Sequence, residues 1–177
     1  MTGPDPKADL HRYLQVAREA LLWKLDGLSE YDIRRPLTPT GTNLLGLIKH
    51  VASVELGYFG ATFGRPCDEA LPWYEDDAEP NADMWATPEE SRQQIAGLYQ
   101  RAWAHSDATI DTLALDATGV VPWWPDDRIV RELIDGAVGL RDGNDNMAPG
   151  DQAWWEAYRR RLESVAQDMQ KAGSEPT

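Results

Sequence analysis

The stretch LLGLIKHVASVELGYFGATFG, residues 44–64, decides how this chain folds. Its apolar residues recur at three- and four-residue steps and wrap around more than one side of a helix. They are Leu44, Leu45, Leu47, Ile48, Val51, Val54 and Tyr58. Thr42 or Asn43, directly before the stretch, can cap its first turn. Because a helix that is apolar on several sides is buried on several sides, residues 44–64 are predicted to form the central helix of a bundle.

A helix is also predicted before this stretch, from about Lys7 to Leu28. Leucines and one alanine recur on a single face of it. These are Leu10, Leu14, Ala17, Leu21, Leu25 and Leu28. Ser29 can cap a short turn that follows, before the prolines and the glycine of residues 34–43 interrupt the chain. The pattern predicts a helix that packs one face against the bundle.

Two more helices are predicted later in the chain. Thr87-Pro88-Glu89-Glu90 offers a cap, a proline at the first helical position and a glutamate three residues after the cap. The predicted inner face of that helix is Ile95, Leu98, Ala102, Ser106 and Ile110. The last helix starts near Asp151 and carries the stripe Trp154, Tyr158, Leu162, Val165 and Met169. Its tail is expected to fray after Gln170.

Between the second and third long helices lies an acidic, proline-containing loop, residues 64–85. Its aromatic residues Trp73, Tyr74 and Trp85 predict that the loop folds back onto the body of the protein. Almost no segment has the alternation of a strand. The sequence therefore predicts an all-α protein, an antiparallel helical bundle. We expect a single domain over residues 1–177, with an ordered core over residues 7–170.

The charge balance excludes several classes of partner. Asp and Glu number 30 against 17 Lys and Arg, so the net charge is −13 over 177 residues. Such a chain repels phosphate backbones and anionic lipid, so neither nucleic acid nor a membrane surface is an expected partner. The single cysteine, Cys67, allows no internal disulfide. With no signal-peptide pattern at the N-terminus, these features favour the cytoplasm.

His50 is the residue with the most specific chemistry in the sequence. It lies in the middle of the central helix with Leu47 and Val54 about one turn away on either side. Two readings stay open: a core histidine hydrogen-bonded to a neighbour, or a ligand of a divalent metal. One histidine cannot hold a catalytic metal, which takes about three protein ligands.

Other residues are weaker candidates for ligands. His11 has charged neighbours on its helix and is expected to be solvated, while His105, seven residues after Leu98, is a weaker candidate for an inward-facing ligand. The possible oxygen ligands are Asp26, Glu55 and Asp135.

The remaining reactive or aromatic residues have simpler interpretations. Cys67 lies beside two acidic residues, which disfavour the thiolate, so it is a poor nucleophile. The pairs Trp123-Trp124 and Trp154-Trp155 are interpreted mainly as core packing, with stacking on a cofactor as the alternative.

The stretch Pro39–Phe59, with His50 at its centre, resembles the second-helix motif of the DinB-like superfamily, in particular its actinobacterial branch. Supporting segments are Pro122-Trp-Trp-Pro125, the tail Ile129–Gly136 and Trp154–Tyr158. The resemblance implies a four-helix bundle in an up-down-down-up arrangement, often dimeric. It also implies a divalent metal, of zinc or nickel type, held by three histidines, of which His50 matches one.

Characterised members of the superfamily use the metal to activate a low-molecular-weight thiol such as mycothiol or bacillithiol. They act as S-transferases or thiol-dependent isomerases. The resemblance therefore implies a metal-dependent, mycothiol-type S-transferase acting on an unknown small electrophile. The alternative is a non-catalytic bundle that binds a small molecule or a second copy of itself.

This chain departs from the superfamily where the other two histidines are expected. In relatives a helix with that histidine pair follows the Pro-Trp-Trp turn, but here Asp126-Asp127-Arg128 leads directly into the tail. A helix over residues 128–137 would be ~15 Å long, against ~33 Å for the first helix. We predict either a truncated fourth helix or a missing segment of roughly 20 to 30 residues between Pro125 and Val130. The open groove left by a short helix, lined by aromatics, predicts self-association as a homodimer.

Overall fold

A computed structural model describes residues 5–124, 129–130 and 151–173 of the chain. Five α-helices occur in this part of the chain. They are α1 (Pro6–Trp23), α2 (Glu30–Arg34), α3 (Leu44–Tyr58), α4 (Arg92–Thr112) and α5 (Gln152–Ala172). The prediction of an all-α helical bundle is confirmed.

Short elements connect the helices. Three 3₁₀ turns follow α3, over Ala61–Phe63, Pro72–Tyr74 and Ala82–Met84. Two strands of two residues each, β1 (Gly119–Val120) and β2 (Ile129–Val130), pair antiparallel with Gly119 opposite Val130. None of the helices in the described part of the chain combines the length and apolar character needed to cross a membrane.

The central position predicted for α3 is confirmed by burial. Each of its residues is buried or half-buried, and the helix packs along α4, which is its main partner. The five residues predicted for the inner face of α4 are all buried. Asn43 caps α3, because its side chain accepts a hydrogen bond from the backbone N–H of Gly46 at 2.7 Å. The core therefore lies between α3 and α4, with the end of α1 and α2 packed against it.

The predicted extent of the first helix is wrong at its C-terminal end. The helix ends at Trp23 rather than Leu28. Gly27 adopts φ +73°, a left-handed conformation that terminates helices. Ser29 then caps α2 as predicted, accepting from the N–H of Asp32 at 3.1 Å.

The predicted inner face of α1 is also partly wrong. Leu10 and Ala17 are exposed, whereas Arg18 is completely buried. The guanidinium of Arg18 reaches Glu55 of α3 at 2.8 Å and Asp107 of α4 at 2.7 Å. These ion pairs join three helices and fix the side of α1 that faces the core, so the opposite side faces the solvent. Hydrophobic periodicity does not detect such pairs.

α4 begins four residues later than predicted. Its N-cap is Ser91, which forms a capping box with Gln94. Glu90 does bond back to the N–H of Thr87, at 2.7 Å. The carbonyls of Thr87 and Glu90, however, accept hydrogen bonds from Arg34. These contacts hold the segment as a turn before the helix.

α3 is shorter than the predicted 44–64 helix and ends at Tyr58. The carbonyl of Gly60 accepts from the N–H groups of Phe63 and Arg65 in a tight turn, so the chain leaves the helix. The following loop folds back as predicted: Trp85 is buried and the indole of Trp73 donates to Ser53 of α3 at 3.0 Å.

α5 starts after the N-cap Asp151, as predicted, and remains helical to Ala172, beyond the expected fraying point. Core packing is wrong for Trp123 and Trp154, which are 53% and 38% exposed. Each covers a tyrosine at the surface: Trp123 meets Tyr58 edge-on at 5.3 Å, and Trp154 stacks on Tyr158 at 5.0 Å.

The predicted short helix over 128–137 is wrong at Ile129–Val130, because these two residues form strand β2, paired with β1. The rest of that predicted helix, and the residues after Pro125 where the gap was predicted, lie outside the described residues. The aromatic groove attributed to that gap, as a face for self-association, lies outside them for the same reason. The prediction of a single domain stays a prediction.

Candidate functional site

The candidate site lies on one face of α3. This face, which we call the His50 face, consists of Leu47, His50, Val54, Gly57 and Tyr58. The spacing of three to four residues places these side chains along one side of the helix. All five are half-buried, in contrast to the fully buried residues Ile48, Ala52 and Leu56 on the core side. The His50 face is therefore covered in part and open in part.

The turn at Ala82–Met84 lies against α3 because α3 has a glycine at position 46. A Cβ on Gly46 would meet the backbone of Met84 at 2.0 Å, so a larger residue would exclude the turn. Asn43 N–H also donates to the carbonyl of Met84 at 3.1 Å. These contacts bring Asp83, at the centre of the turn, to the side of His50 one helical turn further along α3.

Asp83 orients the imidazole of His50. The distance from His50 Nδ1 to Asp83 Oδ2 is 2.6 Å, and Asp83 is 7% exposed. A carboxylate is an acceptor, so Nδ1 carries the hydrogen and the lone pair is left on Nε2. The Nε2 atom makes no hydrogen bond to the described part of the protein. A histidine that is oriented in this way by a carboxylate is the usual form of a metal-binding histidine.

Aromatic side chains lie beside Asp83 and at the far end of the His50 face. The hydroxyl of Tyr74 donates to Asp83 Oδ2 over a long 3.4 Å. At the other end of the His50 face, a Cβ on Gly57 would meet the ring of Trp123 at 2.8 Å, so this glycine admits the indole. Apolar walls with few polar groups are typical of small-molecule sites.

A depression of about 350 Å³ opens beside this region, with Trp73 and Trp85 among its lining residues. Lys49 lines it as well, with its ammonium 3.0 Å from both carboxylate oxygens of Glu90. Burial lowers the pKa of Lys49, and the charge of Glu90 opposes that effect. Lys49 is about 100° around α3 from His50. The depression is thus a neighbour of the His50 face rather than part of it.

The two other histidines lie elsewhere and have other partners. His11, predicted to be solvated, is half-buried and bonds Asp107 at 2.8 Å. His105 Nε2 bonds the carbonyl of Arg65 at 2.7 Å and so ties α4 to the loop after α3. The structure does not bring either of them to His50.

The carboxylates named as possible ligands do not join His50 either. Glu55 is buried and bound by Arg18, Asp26 is exposed, and Asp135 lies outside the described residues. Cys67 is half-buried against the core. Within residues 5–124, 129–130 and 151–173, no three His, Cys, Asp or Glu side chains lie together as a metal cluster.

The comparison with protein families supplies the deciding observation: the model of the mycothiol-S-transferase family matches residues 9–135. The chain belongs to the mycothiol-S-transferase family. The match begins within α1, includes α2 to α4 and continues past the sequence Pro122-Trp-Trp-Pro125, and it confirms the predicted DinB-like superfamily. No curated protein and no solved structure matches the chain.

Sequence reasoning missed Asp83, the residue that orients His50 in this family member. Asp83 is one of several acidic residues in the loop 64–85, and no spacing distinguishes it from them. A usable signal was Gly46 on α3, because a glycine inside a helix often marks a close approach of another backbone. That glycine predicts that some segment lies near His50 without saying which one.

Proposed function

We propose that the chain is a metal-dependent thiol S-transferase of the mycothiol type, and that His50 is one of the metal ligands. The observation that carries the proposal is the 2.6 Å contact between His50 Nδ1 and Asp83, in a chain of the mycothiol-S-transferase family. It leaves Nε2 as a ligand atom on the half-open His50 face. The metal is of the zinc or nickel type, which imidazole suits.

The three histidines of the chain do not form one metal centre. A catalytic zinc site has about three protein ligands, and the chain has three histidines. His11 and His105 are bonded to Asp107 and to the Arg65 carbonyl. A three-histidine centre therefore does not fit this chain, and His50 is the single ligand that we assign.

The S-transferase reaction requires a bound thiol and a bound electrophile. A thiol sulfur forms a bond to an electrophilic carbon, the thiol proton is lost and a leaving group departs with its electron pair. The site must hold the thiol and the electrophile together with little water. The half-buried ring of Tyr58, with the more exposed rings of Trp123 against it and of Tyr74 beside Asp83, supplies apolar surface for this purpose. We place the reaction in the cytoplasm, where small thiols stay reduced.

The test is the metal content of purified protein, with two histidine variants compared with the unchanged chain. The unchanged chain is expected to bind zinc or nickel stoichiometrically. His105→Ala should bind the metal equally well, because His105 is hydrogen-bonded to the Arg65 carbonyl and lies away from His50. His50→Ala is expected to lose the metal and, with it, the conjugation of mycothiol to a chromogenic haloarene. No stoichiometric metal in the unchanged chain, or equal metal in His50→Ala, would exclude the metal-dependent function.

A second candidate is a non-catalytic bundle that binds a small thiol or another small molecule. It is favoured by the lack of a three-residue metal cluster in the part of the chain that the structure describes. In that case mycothiol binds to metal-free protein, as calorimetry would show, and no conjugate forms. Binding that requires added zinc or nickel would argue for the transferase instead.

A further inference from the structure

One side of α5 holds the loop that carries Asp83. The hydroxyl of Tyr158 donates a hydrogen bond to the carbonyl of Pro80 at 2.7 Å. About one turn further along α5, the guanidinium of Arg161 donates to both carboxylate oxygens of Glu79, at 2.6 Å each. Both contacts lie three or four residues before Asp83 in the chain. The loop is therefore attached to α5 just before the carboxylate that orients the imidazole.

A second attachment to α5 follows Asp83 in the chain. Trp85 is 8% exposed and packs with Tyr158 and Leu162 in one core cluster. The guanidinium of Arg161 lies 5.3 Å from the centre of the Trp85 ring, within the range of a cation–π contact. Asp83 therefore lies between two points of the loop that α5 holds.

The backbone between the first attachment and Asp83 has an uncommon conformation. Asn81 has φ +57° and ψ +22°, in the left-handed region that non-glycine residues rarely adopt. Such a conformation persists where surrounding contacts hold the chain on either side of it. Tyr158 bonds the carbonyl that precedes Asn81, and the N-cap of α3 bonds the carbonyl of Met84 after it. The direction of the Asp83 side chain therefore depends on contacts with two helices, α3 and α5.

The two polar contacts from α5 have their donors and acceptors in the required form at neutral pH. Burial raises the pKa of Tyr158 to about 12, so its hydroxyl keeps the proton that it donates. The hydrogen bonds from Arg161 lower the pKa of Glu79, so its carboxyl group is ionised. Both contacts are therefore present together with a neutral His50.

We propose that Tyr158 and Arg161 are positioning residues of the His50 site, because they hold the loop that keeps Asp83 on the imidazole. This role rests on the proposed function, in which His50 is a metal ligand. The family match covers residues 9–135, which include His50 and Asp83 but not α5. The histidine and its carboxylate thus depend on a helix that lies beyond the matched residues.

The test compares two tyrosine hydroxyls that bind α5 to different parts of the chain. Tyr158→Phe removes the hydrogen bond to the loop and keeps the ring. The matched control is Tyr31→Phe, which removes the 2.6 Å hydrogen bond to Glu163 and so loosens α5 from α2 instead. Circular dichroism checks that both variants are folded.

Two further variants remove the ion pair from opposite sides. Arg161→Gln changes α5, and Glu79→Gln changes the exposed loop side of the same pair. The two should have the same effect on His50. Glu79→Gln leaves α5 itself unchanged, so the test does not depend on whether a variant of α5 folds.

The first readout is ¹⁵N NMR of the imidazoles in metal-free protein at one mildly alkaline pH, with His50→Ala to assign the signal. In the unchanged chain and in Tyr31→Phe, Nδ1 of His50 should carry the hydrogen. In Tyr158→Phe combined with Glu79→Gln, part of the population should carry it on Nε2, because the carboxylate no longer stays beside Nδ1. A residue that only stabilised the fold would not change this tautomer.

The second readout is the affinity for zinc, measured by calorimetry. Tyr158→Phe and Glu79→Gln should each weaken zinc binding about two- to tenfold, which corresponds to the net contribution of one hydrogen bond. Their combination should weaken it about tenfold or more, toward the loss expected when the carboxylate partner itself is removed. Tyr31→Phe should bind zinc as the unchanged chain does.

The NMR comparison decides the positioning role independently of the metal. An Nδ1–H signal in the combined variant as complete as in Tyr31→Phe overturns the proposal, and so does a change in Tyr31→Phe as large as that in Tyr158→Phe. If the unchanged chain binds no zinc, the transferase function fails, while the tautomer of His50 still shows whether α5 positions Asp83.

Discussion

At the scale of single residues, the orientation of His50 depends on one carboxylate. Asp83 holds Nδ1 at 2.6 Å, and Tyr74 contacts the same carboxylate oxygen at 3.4 Å. A hydrogen bond to a carboxylate fixes the tautomer of a histidine and makes its other nitrogen a better ligand. The chemistry of the site therefore depends on a residue that does not itself contact the metal in our proposal.

Asp83→Asn tests this dependence. Zinc or nickel should bind the variant about 10- to 100-fold more weakly, the usual cost of losing such a partner. Tyr74→Phe is the control, because it removes a hydroxyl at 3.4 Å and keeps the carboxylate; its affinity should stay near that of the unchanged chain. Calorimetry measures the affinity, and ¹⁵N NMR of the imidazole shows directly whether Nδ1 still carries the hydrogen. Equal affinity in Asp83→Asn would contradict the positioning role.

At the scale of elements, the site exists because a 3₁₀ turn reaches the backbone of a helix. Gly46 admits the turn Ala82–Met84, and Asn43 bonds both the first turn of α3 and the carbonyl of Met84. Gly46 and His50 are one helical turn apart, so the turn arrives at the level of the imidazole. The helix and the loop after it thus form one unit.

Gly46→Ala should damage both stability and the site. A Cβ 2.0 Å from the Met84 carbonyl group would have to displace backbone; the free energy of unfolding should fall by about 1–3 kcal/mol, and metal binding should weaken as in Asp83→Asn. Gly97→Ala on α4 is the matched control. Its Cβ would meet only the end of Arg101, at 3.3 Å, so the helical preference for alanine should raise stability by up to about 1 kcal/mol.

Urea denaturation gives both free energies. If Gly46→Ala proves as stable as Gly97→Ala and binds metal normally, the turn is not held against α3 in the way described.

At the scale of the whole molecule, Arg18 joins three helices. Its guanidinium is bonded to Glu55 on α3 and to Asp107 on α4, and Asp107 also bonds His11 on α1. Burial alone would lower the pKa of Arg18, but the hydrogen bonds and charges of Glu55 and Asp107 outweigh it and raise the pKa. The arginine is therefore charged in the core, and the position of α1 follows from its carboxylate partners.

Removing the Arg18 guanidinium should lower the stability of the fold, because Glu55 would then be buried without its cation. Arg18→Met is expected to lower the free energy of unfolding by about 3–5 kcal/mol. The double variant Arg18→Met, Glu55→Leu should be about 1–3 kcal/mol more stable than Arg18→Met alone, since it removes the unpaired charge as well. The exposed pair Lys171–Asp168 is the comparison: Lys171→Ala should cost less than about 0.5 kcal/mol. Additive losses in the double variant would refute the coupling.

The sequence alone determined the helical class, a cap at Thr42 or Asn43, the inner face of α4 and the start of α5. Periodicity and capping act between residues a few positions apart, so the order of residues is enough to predict them. The motif around His50 likewise predicted the superfamily that the family comparison confirmed.

Only the tertiary structure decided which side of α1 is buried, where α4 begins and what holds His50. Arg18 meets Glu55 across 37 residues of chain, Asp83 meets His50 across 33, and Arg34 holds the turn before α4 across more than 50. Such contacts depend on how the helices pack. Before the packing is known, many acidic residues of the sequence are equally plausible partners for Arg18 and His50. The exposure of Tyr13, Val16 and Trp23 follows for the same reason: once Arg18 turns inward, the apolar residues on the opposite side of α1 face the solvent.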